Sequence, residues 1–318
     1  MQSSESISRV SEQGAGLSSP VPTQFYEWRG YRCAYEVRHA GANGGSPPLL
    51  LIHPIGVGLS RRFWDRFAQA WVGQGQSSPL YVPDLLGCGE SAMPHVAYYP
   101  ADWAAQLLHF LKTVIQSPAI VVAQGALFPV AIALSQQPQG LDWMRGLILA
   151  GPPAWPIMTN ETPDWQDRLS WSLFDSPLGS AFYRYARRRE FLRSFSVRQL
   201  FADEAAVDAH WLDTLEAGAQ DPASRHAVYS FLSGFWRQDY TAAIKALDVP
   251  TLVVLGETAS SIGRSGRSET PDERMSRYLE HLPQGQGVTT AGRNVLPYEA
   301  THEFVGAIAP FVNALARE

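Results

Sequence analysis

The side chains able to attack a bond or move a proton are few and scattered: two cysteines and eight histidines. Cys88 lies in the glycine loop "LLGCGES", where a thiolate could act as a nucleophile. No basic residue flanks it to lower its pKa, so a small turn residue is the plainer reading. His53 follows the apolar run "LLLI" and opens a glycine-bearing loop. It could serve as a base, or its ring could hold the loop by a hydrogen bond. His302 falls on the last predicted helix as a surface residue, and His95 and His109 have no chemical company in sequence. No cluster of His, Cys and Asp shows metal-ligand spacing, so no metal site is expected. "GCGES" lacks the third glycine and the context of a dinucleotide fingerprint, and no cofactor is expected.

The stretch "VVAQGALFPVAIAL" (121–134) has the form that acyl transfer uses: an apolar strand, a small-residue turn, then a helix-like run. A serine, cysteine or aspartate should stand on such a turn. Gly125 stands there, between Gln124 and Ala126, and none of the three can attack a carbonyl.

The elements that must position these residues follow from the pattern. "YEWRGYRCAYEVRHA" (26–40) alternates as a two-stranded hairpin. "LLLIHPIGVG" (49–58) and "PLYVPDLLGCGES" (79–91) each read as a buried strand running into a glycine loop. "RRFWDRFAQAWVGQG" and "ADWAAQLLHFLKTVIQ" repeat apolar positions at helical spacing, with Asp102 near the start of the second helix. "AIVVAQG" and "RGLILAGPPAW" are further strands, the first followed by the helix "ALFPVAIALSQQP". Residues 155–240 hold no clear buried strand and read as helices. The rhythm returns with "VPTLVVLGE" (249–257), a helix near 272–282, a short strand near 286–291 and a final helix from 301. Strands alternating with helices predict an α/β fold, a mostly parallel sheet with helices on both faces. The expected organisation is a tail over 1–24, a core over 25–154 and 241–318, and a helical insertion over 155–240.

Composition bounds the partners. Hydrophobic residues make up 45% of the 318-residue chain, enough for a large core. The net charge of −5 argues against nucleic acid, because there is no excess of positive charge to release counterions. The stretch "MQSSESISRVSEQGAGLSSPVPTQ" has neither the charged start nor the apolar core of a secretory signal. With two cysteines and no run long enough to span a bilayer, a cytoplasmic protein is expected.

These landmarks, in this order, resemble the α/β-hydrolase superfamily from about residue 25 onward. "LLLIHPIGVG" is similar to the family's strand and oxyanion loop, and "VPDLLGCGES" to its Pro-Asp-x-x-Gly-x-Gly-x-Ser turn. "VVAQGALFP" occupies the nucleophile elbow, although Ala123 and Leu127 stand where glycines are usual. "VPTLVVLGE" resembles the strand that delivers the acid, and "AGRNVLPYEATHEF" the segment that carries the histidine, with Glu299 and Phe304 at the usual spacing. The resemblance also implies that 155–240 is a cap over the pocket. "HPIGVGLS" with a Gln-Gly elbow further resembles a group of cyanobacterial and plastid members.

The resemblance assigns the nucleophile to position 125, the acid to 259 and the histidine to 294. These hold Gly125, Ala259 and Asn294, none of which can do the corresponding work. No catalytic residue is therefore expected, with relocated groups (Cys88 or His53, making a hydrolase or acyltransferase) as the alternative. A pocket lined by His53, Pro54, Ile55, Gln124, Gly125, Ala126 and Asn294 would still bind a hydrophobic small molecule. A protein partner is the other expected occupant, since Trp155, Trp165, Trp171, Trp211 and Trp236 put half of the ten tryptophans in the insertion. Packing of small helices explains the same tryptophans. "YRYARRREFLRSFSVRQL" carries Arg184, Arg187, Arg188, Arg189, Arg193 and Arg198. As one helix it would suit peripheral contact with an anionic membrane, and as a solvated face it would pair with nearby acids.

Overall fold

The computed structural model describes residues 21–38, 46–263, 266 and 268–317. Eight strands form one sheet: β1 (Gln24–Trp28), β2 (Tyr31–Arg38), β3 (Leu49–Ile52), β4 (Leu80–Pro83), β5 (Ala119–Gln124), β6 (Met144–Ala150), β7 (Thr251–Gly256) and β8 (Gly285–Thr290). Their order is β1-β2-β4-β3-β5-β6-β7-β8. β1 and β2 pair antiparallel, as do β2 and β4, and every other pair is parallel. This is the α/β architecture that the alternation predicts. Most of the tail expected over 1–24 lies outside the described residues, but Gln24 itself opens β1. The hairpin turns on Arg29 and Gly30, both at positive φ (50° and 79°), the twist that suits a two-residue connection.

The central strands are apolar runs because both faces are covered. Successive side chains point to opposite faces, and the core divides accordingly. Leu49, Leu51, Ile120 and Val122 pack with Phe67 and Trp71 of α1 (Asp65–Gly73). Leu50, Ile52, Val121 and Ala123 pack on the other face with Leu107 of α2 (Pro100–Phe110) and Ala131 of α3 (Phe128–Ser135). Asp102 accepts from the Tyr99 N–H at 3.4 Å at the start of α2. The expected helix through Gln116 instead widens into a looser turn over 111–115 and stops at Gln116, which has φ 58°.

Among the described residues, only helices separate β6 from β7. They are α4 (Trp155–Thr159), α5 (Asp164–Phe174), α6 (Pro177–Ala186), α7 (Arg189–Phe195), α8 (Ala209–Gly218), α9 (Arg225–Ser233) and α10 (Thr241–Lys245). After β7 come α11 (Pro271–His281), α12 (Leu296–Glu299) and α13 (Thr301–Leu315). Phe304, Val305 and Ile308 of α13 join the same cluster as α1.

The arginine run is two helices rather than one, broken at Arg187 and Arg188. Arg187 donates to the carbonyls of Ala219 and Gln220 at the end of α8 (3.3 and 3.2 Å). Arg189 pairs with Asp213 at 2.7 Å, and Arg193 with Glu204 at 2.7 Å. Arg184 and Arg188 are exposed. Among the described residues, no helix is long and apolar enough to cross a membrane.

The turn after β4 is built around a buried cation. Arg61 is 2% exposed and ion-pairs with Glu36 (3.1 Å), Asp84 and Glu90, and the nitrogen that faces Glu90 also donates to Thr23 at 2.8 Å. Asp84 also accepts from the Glu90 N–H at 2.8 Å, and a Cβ at Gly89 (φ +57°) would lie 2.2 Å from its carboxyl group. Ser91 donates to the Asp84 carbonyl at 2.9 Å. The Pro-Asp-x-x-Gly-x-Gly-x-Ser pattern is thus a folding device that closes on Arg61.

Candidate functional site

Register places the site. Ile52 of β3 pairs with Ala123 of β5, and Gln124 pairs with Ala150 of β6, so the loops leaving these strands open on one edge of the sheet. The turn after β5 keeps elbow geometry: Gly125 has φ +58°, and a Cβ built on it would meet nothing within 4 Å. That backbone is strained for any residue with a side chain, and glycine adopts it freely. Ala126 follows in a helical turn, 125–127, whose first amides have no partner within the helix. Gly125 and Ala126 are half-buried.

The loop after β3 is pinned rather than open. His53 is fully buried, its Nδ1 2.8 Å from the Pro54 carbonyl and its Nε2 3.1 Å from the Leu85 N–H. These contacts fix a neutral ring with the proton on Nδ1 and leave no nitrogen for a substrate. Burial also pushes its pKa down, against the opposing pull of Asp84. The reading of His53 as base or ligand contact is corrected: the ring joins two loops. Pro54 is buried and has no N–H, so the loop offers one amide fewer to an oxyanion. Ile55 packs on the core. Gly58 meets α8 backbone to backbone, with a would-be Cβ 1.9 Å from the Leu215 carbonyl oxygen. Val57 enters an aromatic group containing Tyr183, Tyr229 and Trp171.

Cys88 is also removed from chemistry. It is buried, and burial pushes its thiol pKa well above the usual range, so the thiolate reading does not survive. Glu257, the carboxylate just after β7, is exposed, and Ala259 is buried.

Asn294 lies beside Gln124. Gln124 Nε2 donates to the Asn294 carbonyl at 2.7 Å, which brings the elbow and the loop after β8 together. The side chain of Asn294 is committed: Nδ2 donates to the Gln199 carbonyl at 2.7 Å, and Oδ1 accepts from the Ser260 N–H at 3.3 Å. Expected in the pocket lining, the Asn294 amide is instead spent on these two bonds. Gln124 Oε1, by contrast, is buried with no hydrogen-bond partner. Its orientation is set, because the reversed amide would place oxygen against the Asn294 carbonyl. An unpaired buried acceptor costs about 1–3 kcal/mol. Glu299 holds the loop from below: its carboxylate accepts from the N–H groups of Arg293, Asn294 and Val295 (2.6, 3.1 and 3.3 Å) and of Ala202 (2.9 Å). The Glu299 spacing is visible in sequence, but the reach of its carboxylate is not.

Beside the elbow helix lies a void of about 10 Å³, lined by Ala126, Leu127, Tyr98, Trp103 and Trp236 among others. That is room for about one water, not a ligand. A hollow of about 580 Å³ opens elsewhere, between Arg66 and Gln74 of the α1 region and Tyr298 and His302; none of the seven expected lining residues borders it. The tryptophans of the insertion mostly pack. Trp211 is 1% exposed and donates to Ser196 at 2.8 Å, Trp236 stacks on Phe231, and Trp155 and Trp171 are half-buried against Tyr278 and Phe235. Trp165 remains 64% exposed.

Sheet order, elbow and covering helices define an α/β-hydrolase fold. Residues 49–307 match the family model described as "Alpha/beta hydrolase family", and the chain belongs to that family. A putative non-heme chloroperoxidase of Synechocystis sp. (strain ATCC 27184 / PCC 6803 / Kazusa) is 25% identical over 252 residues, covering 76% of this chain and 85% of that protein. Among solved structures, a thermophilic esterase from Thermogutta terrifontis superposes with a TM-score of 0.69 at 19% identity, covering 93% of this chain and 99% of that one. A bromoperoxidase from Bacillus anthracis gives 0.66 at 17% identity, covering 92% and 100%. Both structural likenesses carry the fold.

Proposed function

We propose that this chain uses the hydrolase fold to bind, not to hydrolyse. The observation behind the reading is the joint state of positions 125, 259 and 294: Gly125 has no side chain, Ala259 is buried and apolar, and the Asn294 amide is engaged. The relocated alternatives do not rescue the chemistry, since His53 is fully hydrogen-bonded and Cys88 is buried. The occupant is a hydrophobic small molecule whose carbonyl or carboxylate meets the backbone around Gly125 and Ala126; because the adjoining void holds only about one water, Tyr98, Trp103 and Trp236 must shift to admit the rest of it.

Mass spectrometry of organic extracts from gently purified protein tests this reading. A retained hydrophobic molecule, reduced in a Gly125→Leu variant, is the expected result. Repeated empty extracts, or labelling by a serine- or cysteine-directed probe that one substitution abolishes, would overturn it.

A second reading rests on a separate observation. Trp165, Leu169 and Leu173 on α5, with Leu178, Phe182 and Tyr185 on α6, are all exposed, at helical spacing. Exposed Arg184 and Arg188 sit on or next to α6. Such a surface suits a protein partner or the interface of an anionic membrane. Sedimentation with anionic vesicles should fall in a Leu169→Glu, Leu178→Glu variant; equal sedimentation of variant and wild type would discard the membrane form.

A further inference from the structure

The sequence shows no metal-ligand spacing, yet folding assembles a ligand set from three distant segments. His95 lies in the connection between β4 and α2, Asp175 caps the end of α5, and His226 begins α9. One ligand atom from each lies within 4.8 Å of the other two. His95 Nε2 is 2.7 Å from Asp175 Oδ1, and His226 Nε2 is 4.0 Å from the same oxygen. The imidazole rings lie face to face, centroids 4.1 Å apart and 14° from parallel.

The decisive group is His226. It is 4% exposed, and neither ring nitrogen makes a hydrogen bond of ordinary geometry, the Ala223 backbone offering only a loose one. Buried imidazoles ordinarily use both nitrogens, because an unpaired one costs desolvation without return. Here Nε2 is turned toward Asp175 at a distance too long for a hydrogen bond and short enough to be bridged by an ion.

We propose that His95, Asp175 and His226 form a binding site for a divalent transition metal of the zinc type. A zinc bond to nitrogen or oxygen is about 2.0–2.1 Å, so tetrahedral ligands stand about 3.3 Å apart. Reaching that spread means drawing Asp175 toward His226 from 4.0 Å and opening the 2.7 Å His95–Asp175 contact, a rearrangement of two partly exposed side chains (59% for His95, 27% for Asp175). Three protein ligands leave a fourth position for water. Selectivity follows from the donors and their surroundings. The site offers one carboxylate against two imidazoles, while the positive charge of Arg225 beside His226 opposes all divalent cations alike. Hard cations bound through many oxygens, such as calcium and magnesium, are therefore disfavoured. Metals that gain from coordinate bonds to imidazole are favoured. The consequence is mechanical: the ion would fasten α5 and α9 to the loop that follows β4.

The test uses the intact chain, freed of metal by chelator and re-dialysed. Zinc titrated by calorimetry should bind at one equivalent per chain, raise the thermal midpoint, and be matched by neither calcium nor magnesium. His95→Gln, whose side chain is largely exposed and whose circular dichroism should match wild type, should weaken zinc binding by about tenfold or more. His226→Gln should abolish both the binding and the rise in midpoint. No binding by the wild-type chain at micromolar zinc, or one equivalent still bound by the His95→Gln, His226→Gln double variant, would overturn the proposal.

Discussion

The side-chain amide of Gln124 reaches the backbone carbonyl of Asn294 at 2.7 Å and so ties the elbow after β5 to the loop after β8, across two intervening strands. The acceptor is main chain, so this tie does not depend on which side chain occupies position 294. Gln124 thereby holds in register two loops at the same end of the sheet.

On the proposed reading, a hydroxyl placed at position 125 should not by itself produce hydrolysis. Gly125→Ser has room for its Cβ, with no atom within 4 Å, but must adopt φ +58°. The strain should lower stability by about 1–2 kcal/mol. Hydrolysis of a p-nitrophenyl ester should stay at the buffer rate, because Asn294 cannot accept a proton. Appreciable turnover from this single change would mean that another residue serves as the base.

Arg61→Met should be among the most damaging single changes. It leaves Glu36 and Asp84, 1% and 0% exposed, without their buried partner. Removal of one partner from a buried ion pair costs about 3–5 kcal/mol. Arg62→Met, at a side chain 41% exposed, should cost about 1 kcal/mol or less. Urea unfolding of the two variants compares them directly, and equal midpoints would contradict the network.

His53 should impose a pH dependence. Its folded pKa is pushed down by burial, whereas a histidine in the unfolded chain titrates near about pH 6.5. As pH falls through that value, the unfolded chain takes up a proton that folded His53 refuses, so stability is lost on the acid side. His53→Gln should be less stable near neutrality, having lost the Leu85 and Pro54 contacts, but its stability should vary less on acidification. Parallel curves for variant and wild type in urea would remove His53 from the account.

Two glycines give an opposed pair. Gly58→Ala would drive Cβ to 1.9 Å from the Leu215 carbonyl at φ +76°, and should destabilise by several kcal/mol or prevent folding. Gly306 lies inside α13 with nothing within 4 Å of a new Cβ. Gly306→Ala should raise stability by about 0.5–1 kcal/mol. Thermal midpoints that moved in the same direction would refute the close contact between the loop after β3 and α8.

The sheet was legible because β3, β5, β6 and β7 are buried on both faces and so read as continuous apolar runs. The elbow was legible from small residues between a strand and a helix, and its backbone has the expected positive φ. The use of each polar group was not. The engagement of the Asn294 amide could not be read because Gln199, which accepts from it, is 95 positions away. His95 looked solitary because Asp175 and His226 are brought to it only by the packing of α5 and α9. The arginine run read as one helix because no proline or glycine marks its break; the contact of Arg187 with the end of α8 accompanies that break.

Glu299 gives the segment around Asn294 a foundation that lies outside the position itself. Four main-chain N–H groups converge on its carboxylate, three from successive residues of that segment. The posture of the loop thus rests on Glu299 as well as on the bonds that the Asn294 side chain makes to Gln199 and Ser260. Asn294→His would therefore keep the Glu299 anchorage while giving up the Gln199 and Ser260 bonds, and Asn294→Ala, which gives up the same two bonds, is the control that separates the imidazole from their loss.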